Sequence, residues 1–286
     1  MIGLDGTRGI PRRAWGAVLG GLILAWAGSA LWGQFPGGGR RERQPQRSDY
    51  PQWEHPPDFR RDVFTFARIQ FDSFGGRGMG TTWNNDFPDC DWNFSFRLQQ
   101  LTTLSSDPMG AVVRLDDPAL FDFPFVYMSN PQQMHLSDSE GEALRRYLFN
   151  GGFLMADDFW GEPAWDHLRA EMQRVLPDRQ PRELPLAHEL FHVVYDLQQL
   201  PQVPSIFAWR RGDSFEYWHP GPYGDEKAHF FGYFDDSGRL MALFCQNNDI
   251  GDGWEREGEE SEYFHQFSER WSYPLGINIV TYAMTH

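Results

Sequence analysis

The sequence of 286 residues suits one large domain or two small ones, and its 41% hydrophobic and 16% aromatic content is enough for a packed core. Its formal charge of −15 is unevenly spread: residues 1–47 hold seven arginines against Asp5 and Glu42, a net +5, which leaves −20 on the rest. An acidic body of that kind repels phosphate backbones and excludes nucleic acid as a partner; two cysteines, Cys90 and Cys245, with no C-x-x-C spacing exclude a thioredoxin-type site and a cysteine-rich zinc site.

At the N-terminus, Arg12 and Arg13 precede an uncharged run from Ala14 to Trp32. Basic residues, an apolar stretch and then small residues make a secretory signal. Ala25-Trp26-Ala27 and Gly28-Ser29-Ala30 both suit cleavage. The run is also long enough to cross a bilayer, so an uncleaved anchor is the second reading, weakened by four glycines. Residues 1–33 are thus expected to be a signal peptide or membrane anchor. Residues 34–58, rich in Pro, Gly, Arg and Gln, read as a disordered linker. Export would place the body, residues 59–286, in the periplasm or tethered to the inner membrane, with membrane contact through the N-terminal segment only.

Along the body, strand and helix signals alternate. The run 63–71 (VFTFARIQF) is apolar at alternate positions, as a strand is. A helix is predicted from Trp92 through about residue 103. The runs 111–116 and 125–130 are short, apolar and bounded by turn residues, as buried strands are. Ser137 with Glu140 three residues later makes a capping box. Leu144, Tyr147 and Leu148 mark one face of the helix that follows, and Gly151-Gly152 stop it. A strand is predicted over 153–159 (FLMADDF) and a helix over 162–177, with Pro163 in its first turn. Residues 229–247 read as a β-hairpin turning at Asp235–Gly238. The tail is expected to be helical at both ends and interrupted near Pro274. No internal repeat is visible. This alternation implies an α/β fold, a three-layer sandwich around a mostly parallel sheet.

In such sheets ligands bind outside the carboxyl ends of the strands. The polar residues placed there are Asn130, the Asp157-Asp158 pair and Asn247-Asn248-Asp249, with Trp160, Trp254 and Glu255 just beyond and Asp86 in an acidic group before the first helix. These are the ligand-binding candidates. The aspartate pair suits a divalent metal or general acid/base work. The same residues suit ordinary structure: Asp158 as a helix cap and the tryptophans as core anchors. Cys90 and Cys245 read either as buried thiols or as one disulfide.

The segment 125–177 (FVYMSNPQQMHLSDSEGEALRRYLFNGGFLMADDFWGEPAWDHLRAEMQRVLP) resembles the bacterial family called domain of unknown function 4159. RIQFDS at 68–73, WNNDFPDCDWNFSFRLQQLTT at 83–103 and the closing YPLGINIVTYAMTH resemble its opening and closing motifs, so the likeness covers roughly residues 60–286. It implies a flavodoxin-like sandwich of the class I glutamine-amidotransferase type. It does not imply amidotransfer, which needs a cysteine on a tight strand-to-helix turn with a histidine partner. Here that strand end carries Asp157-Asp158, and neither cysteine lies in a G-x-C-x-G turn.

His188-Glu189-Leu190-Phe191-His192 matches the zinc-peptidase pattern H-E-x-x-H. A zincin needs that pattern on a helix and a third ligand downstream. Pro181 and Pro185 precede it, the β-branched HVVYDL follows, and Pro201 and Pro204 break the chain before a further ligand helix. In the resembling family this stretch reads His-Pro-Ile-Phe, which makes Glu189 stand where a proline does. The leading expectation is therefore a non-catalytic module binding a small molecule, glycan or protein in the strand-end crevice. The alternatives are a hydrolase using Asp157 and Asp158, with His188 a further catalytic candidate if it faces the crevice and otherwise a structural residue, and, last, a zinc peptidase through His188, Glu189 and His192. No cofactor is expected, a divalent metal at Asp157, Asp158, His188 or His192 being the exception.

Overall fold

The computed structural model describes residues 46–55, 62–73, 83–217 and 224–286. The apolar run at 14–32 lies outside them; among the described residues no helix is long and apolar enough to cross a membrane. In chain order the elements are β1 (Ala67–Ile69), β2 (Asp72–Ser73), α1 (Asp89–Leu101), β3 (Ala111–Val113), β4 (Phe125–Ser129), β5 (Met134–His135), α2 (Asp138–Phe149), β6 (Phe153–Phe159), α3 (Gly161–Val175) and β7 (Arg182–Glu183). There follow α4 (Ile206–Arg210), β8 (His229–Phe234), β9 (Leu240–Gln246), α5 (Ile250–Glu255), α6 (Ser261–Tyr263) and α7 (Tyr273–Thr285).

Seven strands form one sheet in the order β3-β1-β4-β6-β9-β8-β7, and β2 pairs with β5 apart from it. The first five are mutually parallel; β8 runs antiparallel to β9 and β7 to β8. Counted in chain order, the parallel strands lie 2-1-3-4-5, the flavodoxin-like order, whose direction of progress reverses between β1 and β4. Helices α2 and α3 cover one face over Leu144, Leu148, Leu168 and Met172. Helices α1, α5 and α7 cover the other over Phe94, Leu98, Trp254, Leu275 and Ile279. The layered α/β expectation holds. All seven residues of β6 are buried, because a central parallel strand has helices on both faces.

The Ser137–Glu140 capping box forms in both directions. Three boundaries differ from expectation. The strand over 63–71 pairs in the ladder only at Ala67–Ile69, with Phe64 bridging Ser106 apart. Helix α1 starts at Asp89, three residues early, because Asp89 and Asp91 favour the positive end of the helix dipole. The tail is not interrupted at Pro274. Residues Phe264–Ser272 are wound as a π-helix, Tyr273 N–H donates to Ser268 C=O, and Pro274 enters at the start of α7. The wider winding absorbs the lost donor that would break an α-helix interior. Within the segment read as linker, residues 46–55 pack on the domain: Trp53 Nε1 donates to Ser106 C=O at 2.6 Å and Tyr50 meets Trp92 edge-on at 5.0 Å.

Candidate functional site

The turn from β6 to α3 sets the site. Between Ala156 and Phe159 the β6–β9 register slips, and Asp158 occupies the slip with φ 59°. Its N–H donates to Asn248 C=O at 3.0 Å, and Asn247 N–H returns a bond to Phe159 C=O at 2.9 Å. A bulge of this kind re-aims one side chain out of the strand's alternation. Asp157, still in alternation, turns to the α5 side: its Oδ2 accepts from Gly251 N at 2.9 Å and Tyr127 OH at 3.4 Å. Asp158 turns to the loop before α1 and to α3's entry: Oδ2 accepts from Asn85 Nδ2 at 2.8 Å and Oδ1 from Trp160 Nε1 at 3.2 Å. The two neighbouring aspartates are thus split between different partners rather than facing one substrate as a pair.

Among the described residues, the non-glycine positions in the left-handed region are Asp86, Asn130, Asp158 and Asn247. Asn130 and Asn247 directly follow β4 and β9, and Asp86 and Asp158 meet in the carboxylate group described next. Such backbone costs about 1–3 kcal/mol per residue and concentrates at functional sites; Asn and Asp tolerate it best.

Around this turn the structure gathers Asp86, Asp157, Asp158, Glu216, Asp249 and Asp252, all buried, and the half-buried Glu255. Two triads have one carboxylate oxygen each within 4.8 Å of one another: Asp86 with Asp158 and Asp249, and Asp86 with Asp252 and Glu255. Asp249 caps α5, accepting from Asp252 N at 2.9 Å. Asp252 accepts from Ile206 N and from Arg256 Nε, the latter at 3.0 Å. Arg256 Nε also lies 2.6 Å from Glu255 Oε2, but its single N–H points at Asp252, so that approach is close contact without a hydrogen bond. Glu216 accepts from Ser205 N at 3.1 Å.

Burial pushes these carboxyls up. Asp86 rises to about 7, through burial and then the charge of Asp252. Asp157 rises to about 8 through burial, partly offset by the Gly251 N–H. Glu216 rises to about 7 through burial, and Glu255 to about 10 through burial and then Asp86. Asp158 and Asp249 are raised well above the usual range, again by burial first and then by neighbouring carboxylates. The side chain of Arg68, fully buried below them, pairs with Asp91 through Nε at 3.0 and 3.1 Å. Burial opposes its charge and Asp91 outweighs that opposition.

Several sequence candidates prove structural. Asn247 Oδ1 accepts from Gly161 N at 2.8 Å and its Nδ2 donates to Asp225 and Lys227 carbonyls at 2.9 and 2.8 Å. Asn248 Oδ1 accepts from Val203 N at 2.8 Å. These two anchor neighbouring loops. Trp254 is core, 4.5 Å from the Phe94 ring, and Trp160 is walled in by Phe215 at 5.2 Å. Neither presents a face for stacking a ligand. Asn130 is half-buried and holds Gln132 through its Oδ1. Cys90 and Cys245 are free and buried, and burial raises both thiols well above their ordinary value.

The zinc-peptidase expectation is corrected. Glu189–Phe191 is a single 3-10 turn capped by His188, whose Nδ1 accepts from Leu190 N at 3.2 Å. His192 uses both ring nitrogens, on Asp196 and on the Leu186 carbonyl at 2.7 Å. Neither histidine belongs to a metal-compatible group among the described residues. His188 packs against Phe234 and Tyr282, and Phe234 pairs with Leu240 at the start of β9, so it sits at the opposite end of the sheet from Asp158.

Sequence reasoning missed Asp252 and Glu216. Asp249, Asp252 and Glu255 fall at intervals of three, the spacing that keeps side chains near one face of a helix, and that signal was available. Glu216 carries no local signal. In comparison with known proteins, residues 65–284 match the model of a family described as "Domain of unknown function (DUF4159)". No curated protein matches the chain.

Proposed function

Since the chain belongs to the DUF4159 family, a domain of unknown function, we propose from its own geometry that it is an exported or membrane-anchored binding module that receives a positively charged ligand in the strand-end crevice. The observation that carries this reading is Asp86 Oδ2, a buried carboxylate oxygen with no hydrogen-bond partner, set, among the described residues, with carboxylates that outnumber their arginines. A buried anion left unpaired is costly, and a cation from outside repays the cost. Metal ions, amines and basic side chains of a partner protein share the required charge. Both thiols are buried with their pKa raised, which supports a binding role over nucleophilic chemistry. Export rests on residues 1–33 alone.

The test is thermal unfolding of the full chain with calcium, magnesium, manganese, spermidine and an arginine-rich peptide, each against sodium chloride of equal ionic strength. At least one cation is expected to raise the midpoint in proportion to the logarithm of its concentration. No response to any of them beyond the sodium chloride control would overturn the reading.

A further inference from the structure

Asp86, Asp158 and Asp249 come from three separate connections: the loop before α1, the bulge in β6 and the turn after β9. All three are buried, and one carboxylate oxygen from each lies within 4.8 Å of one from each of the others. Two of them are oriented by bonds that leave acceptor capacity to spare. Asp158 accepts from Asn85 and Trp160, and Asp249 accepts from the Asp252 N–H through Oδ1. Asp86 differs. It is 9% exposed, and its Oδ2 is buried with no hydrogen-bond partner. An oxygen in that position has acceptor capacity that no donor among the described residues uses.

We infer that Asp86, Asp158 and Asp249 bind one oxygen-preferring divalent cation of the calcium, magnesium or manganese class. The inference rests on the cation-binding reading of the same crevice and names the ion it takes. The second triad, Asp86 with Asp252 and Glu255, meets the same spacing but already has an arginine against two of its members. Arg256 Nε lies 3.0 Å from Asp252 Oδ1 and 2.6 Å from Glu255 Oε2, and a guanidinium there repels a divalent ion. Among the described residues no arginine makes an ion pair or hydrogen bond with the first triad. Three carboxylates with no sulfur or imidazole among them select hard ions. The remaining coordination positions belong to water or to oxygens of a bound partner.

The full chain, stripped with a chelator, is titrated with each ion by calorimetry and followed by thermal unfolding. One ion per chain is expected, with a rise in the midpoint. Asp86→Asn and Asp158→Asn are each expected to weaken binding about 10–100-fold or more, since even an outer-shell partner of a metal ligand is worth that much. Asparagine keeps the left-handed backbone at both positions. Metal-free Asp86→Asn is expected to melt at or above the metal-free wild type, whereas Asp158→Asn, which turns an amide NH2 toward the Asn85 or the Trp160 donor, is expected to melt lower but cooperatively, which shows it folded. Absence of ion binding to the wild type overturns the inference whatever the variants do. Binding that survives Asp86→Asn and Asp158→Asn, or that is lost in Glu255→Gln and kept in Asp158→Asn, also overturns it. If spermidine or the basic peptide stabilises the chain and no divalent ion does, this inference falls and the broader cation-binding reading stands. If none of them does, both fall.

Discussion

Asn85 Nδ2 donates to Asp158 Oδ2 at 2.8 Å, and this bond joins the loop before α1 to the bulge of β6. It also fixes where Asp86, the next residue, carries its carboxylate. Replacing Asn85 by alanine removes a donor from a buried carboxylate. The expected loss is about 1–3 kcal/mol in urea unfolding, the usual cost of leaving such a group less satisfied. Asn85→Asp should cost more, because it adds an anion where anions already crowd. A change within about 0.5 kcal/mol for both would mean that Asp158 finds another donor and that the bond positions nothing.

The raised carboxyls give the metal-free protein a definite pH dependence. Asp86 and Glu216 titrate at about 7 and Asp157 at about 8 in the folded chain, because burial penalises their charge. In the unfolded chain they titrate at about 4. Between these values the folded state holds more protons, so stability is highest below about pH 4 from these groups and falls as pH rises toward 8. Each retained proton contributes a slope of about 1.4 kcal/mol per pH unit. Denaturant unfolding in chelator at pH 5, 6, 7 and 8 should show a steady decline. Stability that is flat or rising over that interval would show the carboxyls to be ionised in the fold at little cost.

How much of this was legible depends on how local each cause is. The Ser137–Glu140 box closes within one helical turn, and Phe153–Phe159 is a buried run whose two aspartates announce its end, so both could be read directly. Asp86, Asp158 and Asp249 could be singled out as polar residues beside apolar strands, but not brought together, because the bulge that re-aims Asp158 depends on pairing with β9. Trp254 read as a ligand-binding candidate or as a core anchor, and only its contact with Phe94 from α1 decides for the core. The His188–His192 pattern has the letters of a zinc site, and Pro185 with the 3-10 turn denies it the helix. Glu216 arrives from a loop with nothing around it to mark its destination.

Arg68 should prove as important to the crevice as any carboxylate lining it. Its Nη1 donates to the Trp83 and Asn85 carbonyls at 3.1 and 2.9 Å, its Nε to Asp91, and its guanidinium lies 4.9 Å from the Tyr127 ring centre. It thereby holds the backbone that delivers Asp86. Arg68→Met leaves Asp91 buried and unpaired, at an expected cost of about 3–5 kcal/mol. Arg68→Met with Asp91→Asn should recover part of that loss, since the uncompensated charge is gone. A double variant no more stable than Arg68→Met alone would show that the backbone bonds, not the ion pair, carry the effect.

Gly251 offers the sharpest steric test of how closely the site is built. A Cβ placed there would come within 2.5 Å of the Tyr127 hydroxyl and 3.1 Å of Asp86 Oδ2. Both neighbours are buried, and Tyr127 and the Gly251 N–H share Asp157 Oδ2, so no free direction is open for retreat. Gly251→Ala is therefore expected to cost about 1–3 kcal/mol by overpacking, against the small gain alanine normally brings within a helix. It should also weaken cation binding, because relief of the contact shifts Asp86 from the position it holds beside Asp158 and Asp249. Pairing it with Tyr127→Phe removes the hydroxyl that the new methyl meets and should restore most of the stability. If Gly251→Ala is neutral in both unfolding and cation titration, the start of α5 is looser than its contacts imply and Asp86 is free to shift without consequence.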